Sequence, residues 1–357
     1  MLGNRLMALP GPIMVTGHTG FKGTWLTFLL ERLGVPVVGL SLEPEANSLF
    51  DRTNRKGVIP EAFADIRDIE KINQFMLRYK PSAVVHMAAQ PLVLESYKEP
   101  RETFETNVLG TVNILDAALK NKSIEAVVIV TTDKVYKNDN SGHAFVETDP
   151  LEGKDPYSAS KVATESVVAA WQQITKVSGG PKVISVRAGN VIGGGDWAEN
   201  RLMPDLIRGL ASGGPLRIRN PYSTRPWQHV LDPLHGYLLA LEEILSGHDL
   251  RTLNFGPLGK SLSVKEVVAI VSATWQSAIE ITFDPTLIGT PAEATNLHLD
   301  SSEASRILGW KPIWSQESAI IATIRWWENS LSGDSKQCVT SINFDIDTLL
   351  GNLKPTD

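Results

Sequence analysis

The chain alternates short, wholly apolar runs with longer amphipathic stretches. Ile13-Met14-Val15-Thr16 runs into a glycine, and the spacing after it predicts a helix from about Gly20 to Leu33. Val37 to Leu40 and the shorter Ala62 to Asp65 predict two further strands. Ile69, Ile72, Met76 and Tyr79 share one helical face, and that helix stops before Pro81, because the residue preceding a proline avoids helical dihedrals. Ala83 to Met87, Ala126 to Val130 and Val183 to Val186 read as buried strands. Phe104, Val108, Val112, Leu115 and Leu119 follow at steps of 4, 4, 3 and 4, which predicts a helix from Pro100 to Lys120 with one apolar stripe. Pro156 starts another helix at the first-turn position where proline is tolerated.

Strands that are apolar throughout, separated by helices, belong to a parallel sheet covered on both faces. The expected class is therefore α/β, a Rossmann-type doubly wound parallel sheet with a smaller mixed α/β lobe for substrate. Beyond Arg187 the rhythm breaks into Gly193-Gly194-Gly195 and a loop-rich, arginine-bearing stretch from Gly213 to Pro226. The chain returns to the sheet near Leu253-Asn254-Phe255. Residues 1–187 plus about 228–256 are assigned to the first domain, and 188–227 plus about 257–357 to the second.

Composition narrows this picture. A net charge of −6 over 357 residues excludes a strongly basic nucleic-acid-binding chain, and 42% hydrophobic residues exclude disorder. A single cysteine, Cys338, excludes an internal disulfide framework and a cysteine-rich zinc site. No apolar run approaches the ~18–20 residues that span a bilayer. The segment from Arg5 to Val15 faintly imitates a signal peptide, but its apolar end serves better as the first strand, so a soluble cytoplasmic protein is expected. His18, His86, His229 and His235 lack metal-ligand spacing and are expected to be structural, with no metal bound.

The chemistry begins at Gly17-His18-Thr19-Gly20-Phe21-Lys22-Gly23, directly after the first strand. Glycines there let the backbone turn sharply and approach a pyrophosphate, while the following helix offers free N–H groups to it. Asp65 closes the third strand, where a carboxylate could receive an adenine amino group. Ser41 stands where an acidic residue would hold a ribose hydroxyl, and no arginine follows to receive a 2′-phosphate, so NAD is favoured over NADP. Tyr157 and Lys161 lie four residues apart on one helical face. A phenol is a poor base at neutral pH, and a neighbouring ammonium together with a cationic nicotinamide would lower its pKa.

These residues resemble the extended short-chain dehydrogenase/reductase family, the NAD-dependent epimerases and dehydratases. The resemblance is carried by VTGHTGFKG (15–23), DIRD (65–68), HMAAQP (86–91), Asn107, TTDKVY (131–136), PYSASK (156–161) and RAGNVIGGGDW (187–197). Longer strings, among them RNPYSTRPWQHVLDP and PAEATNLHLDSSEASRILGW, look like the branch that dehydrates CDP-glucose. The resemblance implies NAD contacts from Gly17, Thr19, Gly20, Phe21, Lys22, Gly23, Ser41, Asp65, Ile66, Ala88, Ala89, Gln90, Asn107, Thr131, Tyr157 and Lys161.

It further implies a cycle without net redox change. Tyr157 takes the C4-hydroxyl proton as C4 gives up hydride, the 4-ketone acidifies C5, water leaves from C6, and the hydride returns at C6. Thr132 would bond the reacting oxygen and Asp133 would protonate the departing hydroxyl. Lys134 stands where related dehydratases carry a glutamate that takes the C5 proton; it could be that base if its pKa fell, or it could anchor Asp133 or bind phosphate. Asn190, Arg201, Arg225 and Glu293 match positions for the nucleotide sugar, and Tyr222 and Trp227 could wall the pocket or pack the core. Leu94-Glu95 departs from the branch, which carries arginine there. The rival readings are a 4,6-dehydratase of another nucleotide sugar, a nucleotide-sugar 4-epimerase and a non-catalytic NAD-binding protein. Relatives assemble through the 100–120 and 156–175 helices, implying a homodimer or homotetramer, unless that stripe is simply core.

Overall fold

The computed structural model describes residues 2–213, 216–218, 221–275, 281–283 and 296–353. Its strands are β1 (Ile13–Thr16), β2 (Val37–Ser41), β3 (Glu61–Phe63), β4 (Ala83–His86), β5 (Ala126–Val130), β6 (Lys182–Ala188), β7 (Asn190–Ile192), β8 (Trp227–His229) and β9 (Thr252–Phe255), besides short edge pairings. Seven of them form one sheet in the order β9-β6-β5-β4-β1-β2-β3. Every pairing in it is parallel, with Ile13 opposite both Val37 and Ala83. The winding reverses at β1, so the carboxyl ends of β1 and β4 frame the crevice where such sheets bind ligands.

Alternate residues of the buried strands feed two cores, as the period of two requires. Ile13 and Val15 pack with Trp25 and Leu29 of the helix Phe21–Arg32 and with Leu234 and Leu238 of the helix Leu231–Leu245. Met14 points the other way, toward Ile72, Ile114 and Val168.

The stretch from Pro100 to Lys120 departs from a single regular helix. It runs as Pro100–Phe104, a π-helical turn Glu105–Leu109, and Gly110–Lys120. A π turn inserts one residue and rotates everything after it, so the apolar spacing no longer marks one buried face. Asn107, Thr111, Ile114 and Ala118 are buried, while Phe104 is 39% and Leu109 54% exposed.

Apart from the seven-stranded sheet, β7 pairs with β8 in parallel. The helix Ser335–Asn352 packs on the helix Phe21–Arg32, and Arg32 bonds Asp347 at 2.6 Å. Trp25 of the same helix donates to the carbonyl of Gly194 at 2.9 Å. No helix among the described residues is long and apolar enough to cross a membrane.

Candidate active site

Beyond β1 the backbone turns through Gly17 at φ +73°, a conformation that L side chains rarely adopt. A Cβ at Gly17 would sit 2.9 Å from the amide nitrogen of Ala88, and one at Gly23 only 2.0 Å from the carbonyl oxygen of Gly17. Gly20 then caps the helix Phe21–Arg32 without any side-chain hydrogen bond, leaving its first-turn N–H groups for a ligand. An open turn, a missing side chain and uncapped donors fit a dinucleotide diphosphate. Thr19 donates to the carbonyl of Leu42 at 3.1 Å and meets the Ser41 hydroxyl at 2.7 Å, which ties the turn to the end of β2. His18 points into the core, 2.8 Å from Glu61 and stacked on Phe63; burial, opposed by Glu61, lowers its pKa.

The side chains of four expected cofactor contacts also bond protein groups. The Asn107 amide receives the Gln90 N–H at 2.8 Å and donates to the Gln90 carbonyl and Ser160, so it clamps the loop after β4 against the helix Pro156–Ser178. Gln90 bonds Leu92 and Thr103 through its own amide. Thr131 donates to Glu165 at 2.5 Å, and its N–H is bound to Val186. These three polar side chains point into the protein because their buried groups need partners. Asp65 accepts from Arg67 through both oxygens, and that guanidinium holds its carboxyl below the usual range. Ile66 is buried, Ala88 borders the turn, and Ala89 is half-buried.

The helix Pro156–Ser178 begins with a capping box between Asp155 and Ser158, which fixes where Tyr157 and Lys161 emerge. Lys161 donates to the Val130 carbonyl at 3.3 Å, and burial pushes its pKa down to about 8 against the carboxylate of Glu165. Burial raises the Tyr157 pKa, opposed by the charge of Lys134, a hydrogen bond from Thr132 and the charge of Arg201.

Past the end of β5, Thr132 caps a short turn, donating to Asp133 Oδ1 at 3.0 Å. Asp133 is fully buried, and its Oδ2 has no partner among the described residues. Lys134 lies 3.4 Å from both Asp133 Oδ1 and Asn190 Oδ1. Thr132, Asp133, Lys134, Tyr157 and Asn190 thus converge, with Arg201 near enough to act on Tyr157. Arg201 also pairs with the buried Asp196 at 3.3 Å. Arg225 is buried and donates to the Thr224 carbonyl at 2.9 Å. Glu293 lies outside the described residues. Trp227 is buried in the core and Tyr222 is 80% exposed. Glu95 sits on the helix Val93–Lys98 paired with Lys98 at 2.9 Å, and Ser96 of that helix accepts the Tyr157 N–H at 3.1 Å.

Sequence reasoning passed over two groups. Glu165 accepts Arg187 through both carboxylate oxygens at 2.9 and 3.0 Å, with Thr131 and Ser185 completing its bonds. Its placement one turn beyond Lys161 was a usable signal. Tyr237 accepts from Lys22 at 2.9 Å, a contact 215 residues apart that no local pattern announces.

A doubly wound sheet with a glycine turn at its switch point, and a Tyr–Lys pair beside a buried acid, defines a dinucleotide-dependent enzyme class that works on an alcohol carbon. Residues 13–256 match the NAD dependent epimerase/dehydratase family, and the chain belongs to it. It is 39% identical over 331 residues to CDP-glucose 4,6-dehydratase of Salmonella typhimurium, covering 90% of this chain and 92% of that protein. Among solved structures it resembles DesIV, the dTDP-glucose 4,6-dehydratase of Streptomyces venezuelae with NAD and TYD bound, at TM-score 0.76 and 25% identity over 90% of this chain and 98% of that one. It is also similar to UDP-glucose 4-epimerase of Thermus thermophilus in complex with NAD, at TM-score 0.76 and 26% identity over 88% and 98% of the two chains.

Proposed function

We propose that this protein dehydrates CDP-glucose to CDP-4-dehydro-6-deoxy-glucose with NAD. The observation that carries the reading is the buried, half-partnered Asp133 beside Thr132 and Tyr157. An epimerase has no leaving hydroxyl to protonate, whereas a dehydratase needs an acid held there. The cytidine nucleotide is taken from the Salmonella relative.

The glycine turn and the start of the helix Phe21–Arg32 would hold the diphosphate of NAD, and Lys161 and Tyr157 its nicotinamide end. When bound, NAD supplies a ring that accepts two electrons and a proton from C4 and gives them back at C6. Tyr157 removes the C4-hydroxyl proton, helped by a hydrogen bond from Thr132 and by the charge of Arg201, which oppose the rise that burial imposes. Asp133 donates a proton to the hydroxyl leaving C6. Lys134, beside Asp133 and Asn190, takes the C5 proton as the neutral amine. Arg201 and Arg225 receive the substrate diphosphate through charge-assisted bonds. Both ligands are charged diphosphates that do not cross a bilayer unaided, so the reaction is assigned to the cytoplasm. The exposed Phe104 and Leu109, on the segment packed against the helix Pro156–Ser178, offer an apolar surface through which a second copy would dock.

Incubation with CDP-, dTDP-, GDP- and UDP-glucose, followed by absorbance of the 4-keto product in alkali, tests the reading. Conversion of the cytidine compound is expected, and its absence sinks the substrate assignment. The same assay in deuterated water with Lys134→Met checks the base: undiminished deuterium at C5 with full turnover would remove Lys134 from that role.

A further inference from the structure

Tyr157 and Lys161 have a counterpart in the site. Lys22, in the first turn of the helix Phe21–Arg32, donates to the hydroxyl of Tyr237 at 2.9 Å and lies over its ring, 4.9 Å from the centroid. Tyr237 is fully buried on the helix Leu231–Leu245, edge-on to Phe255. Its phenol lies close enough to Tyr157 and Asp133 for their charges to reach it, and burial raises its pKa beyond the reach of ordinary titration. Lys22 likewise feels Lys161, Arg201 and Asp133, after burial, which lowers its pKa to about 7. Lys22 is thus bonded to Tyr237 and within reach of the charges of Lys161, Arg201 and Asp133, which come from three further segments. Its one hydrogen bond among the described residues goes to a neutral phenol.

This places a lysine of the glycine turn at the reacting end of the site. The redox ring must come within reach of the carbon whose oxygen Tyr157 deprotonates, so a cation beside Tyr237 stands a side chain's length from that ring. The oxidised nicotinamide carries a positive charge. The reduced one, having gained two electrons and a proton from C4, carries none.

We propose that Lys22 sets the oxidation-state preference of the site: its ammonium, held on Tyr237, disfavours the cationic oxidised ring and favours the uncharged reduced one, easing withdrawal of hydride from the sugar. The inference rests on the reading of Tyr157 and Lys161 as the reaction centre. It is tested by binding alone, so a failed dehydration assay and a failed Lys22 test remain separate results.

The experiment measures the dissociation constants of NAD+, NADH and ADP-ribose for the wild-type protein, Lys22→Met and Lys22→Arg between pH 6 and 8.5. Protonated Lys22 exists below its pKa, so the preference for NADH over NAD+ is strongest at the acid end and fades as pH rises. Taking wild type against Lys22→Met at each pH cancels the contribution of Lys161. The Kd ratio is expected to differ by on the order of tenfold at pH 6 and to converge by pH 8.5. Lys22→Arg, permanently charged, should keep a high ratio across the range. ADP-ribose, which has the diphosphate without the redox ring, should bind wild type and Lys22→Met alike. An unchanged ratio in Lys22→Met, or an equal loss of all three ligands that would make Lys22 a diphosphate anchor, overturns the proposal.

Discussion

The site holds two phenol–ammonium pairs built in opposite ways. Tyr157 and Lys161 sit on one helix, and their side chains do not bond each other: Lys161 turns to the Val130 carbonyl while Tyr157 faces Thr132 and Lys134. Lys22 and Tyr237 come from helices far apart in sequence and bond directly. The first pair keeps both groups available for a ligand, whereas the second uses its phenol to carry its amine. A tyrosine whose hydroxyl meets substrate and a tyrosine that serves as a bracket should respond very differently to losing that hydroxyl.

The largest expected effect follows at once. Tyr157→Phe should lower kcat by about a thousandfold, the range of a lost general base, while NAD binding stays close to wild type. Single-turnover assays beside NAD titration check both halves. A variant still within tenfold of wild type would mean that another group takes the C4 proton.

What the sequence disclosed follows the same division between local and distant. Motifs confined to one element were legible: the apolar run into Gly17, the helix stop at Lys80, and Tyr157 with Lys161 one turn apart. The strands near 13, 37, 83, 126 and 183 stand where their apolar runs lie, because burial on both faces leaves no polar positions. Features created by packing were not legible. The π turn at Glu105–Leu109 leaves composition unchanged and still turns the expected stripe. Asn107, Gln90 and Thr131 also bond protein groups brought in by other segments, partners that no local pattern announces. The charges of Lys134 and Arg201 reach Tyr157 from segments that no local pattern joins to it.

The second expected effect separates Lys161 from its surroundings. Glu165 is the carboxylate that opposes the burial-driven fall of Lys161, whose pKa is about 8. In Glu165→Gln that support disappears and the pKa drops further. A group with a lowered pKa keeps its ammonium only below it, so the alkaline limb of the kcat/KM profile should move to lower pH. Loss at pH 8.5 relative to pH 6.5 should be about tenfold greater than in wild type. Arg187 loses its paired carboxylate in the same variant, and breaking a buried ion pair costs on the order of 3 kcal/mol or more, so the thermal midpoint falls as well. A midpoint that falls while the limb stays put would make Glu165 a packing residue with no bearing on Lys161.

The smallest expected effect is the sharpest test of the comparison. Tyr237→Phe keeps the buried ring against Phe255 and deletes only the hydroxyl that receives Lys22. A hydrogen bond from an ammonium contributes about 2 kcal/mol net to the folded state, but the Tyr237 hydroxyl takes no part in the proton transfers, so kcat should change by roughly fivefold at most, far from the loss in Tyr157→Phe. The wild-type bond joins an ammonium to a phenol, and without it the Lys22 amine is solvated less well and its pKa falls. The acid-side preference for NADH over NAD+ should then weaken in Tyr237→Phe, in the same direction as in Lys22→Met and by less. Full activity together with a weakened preference makes Tyr237 the bracket for a charge. A kcat loss as deep as that of Tyr157→Phe would instead mean that both phenols handle substrate protons, and the division between the two pairs would collapse.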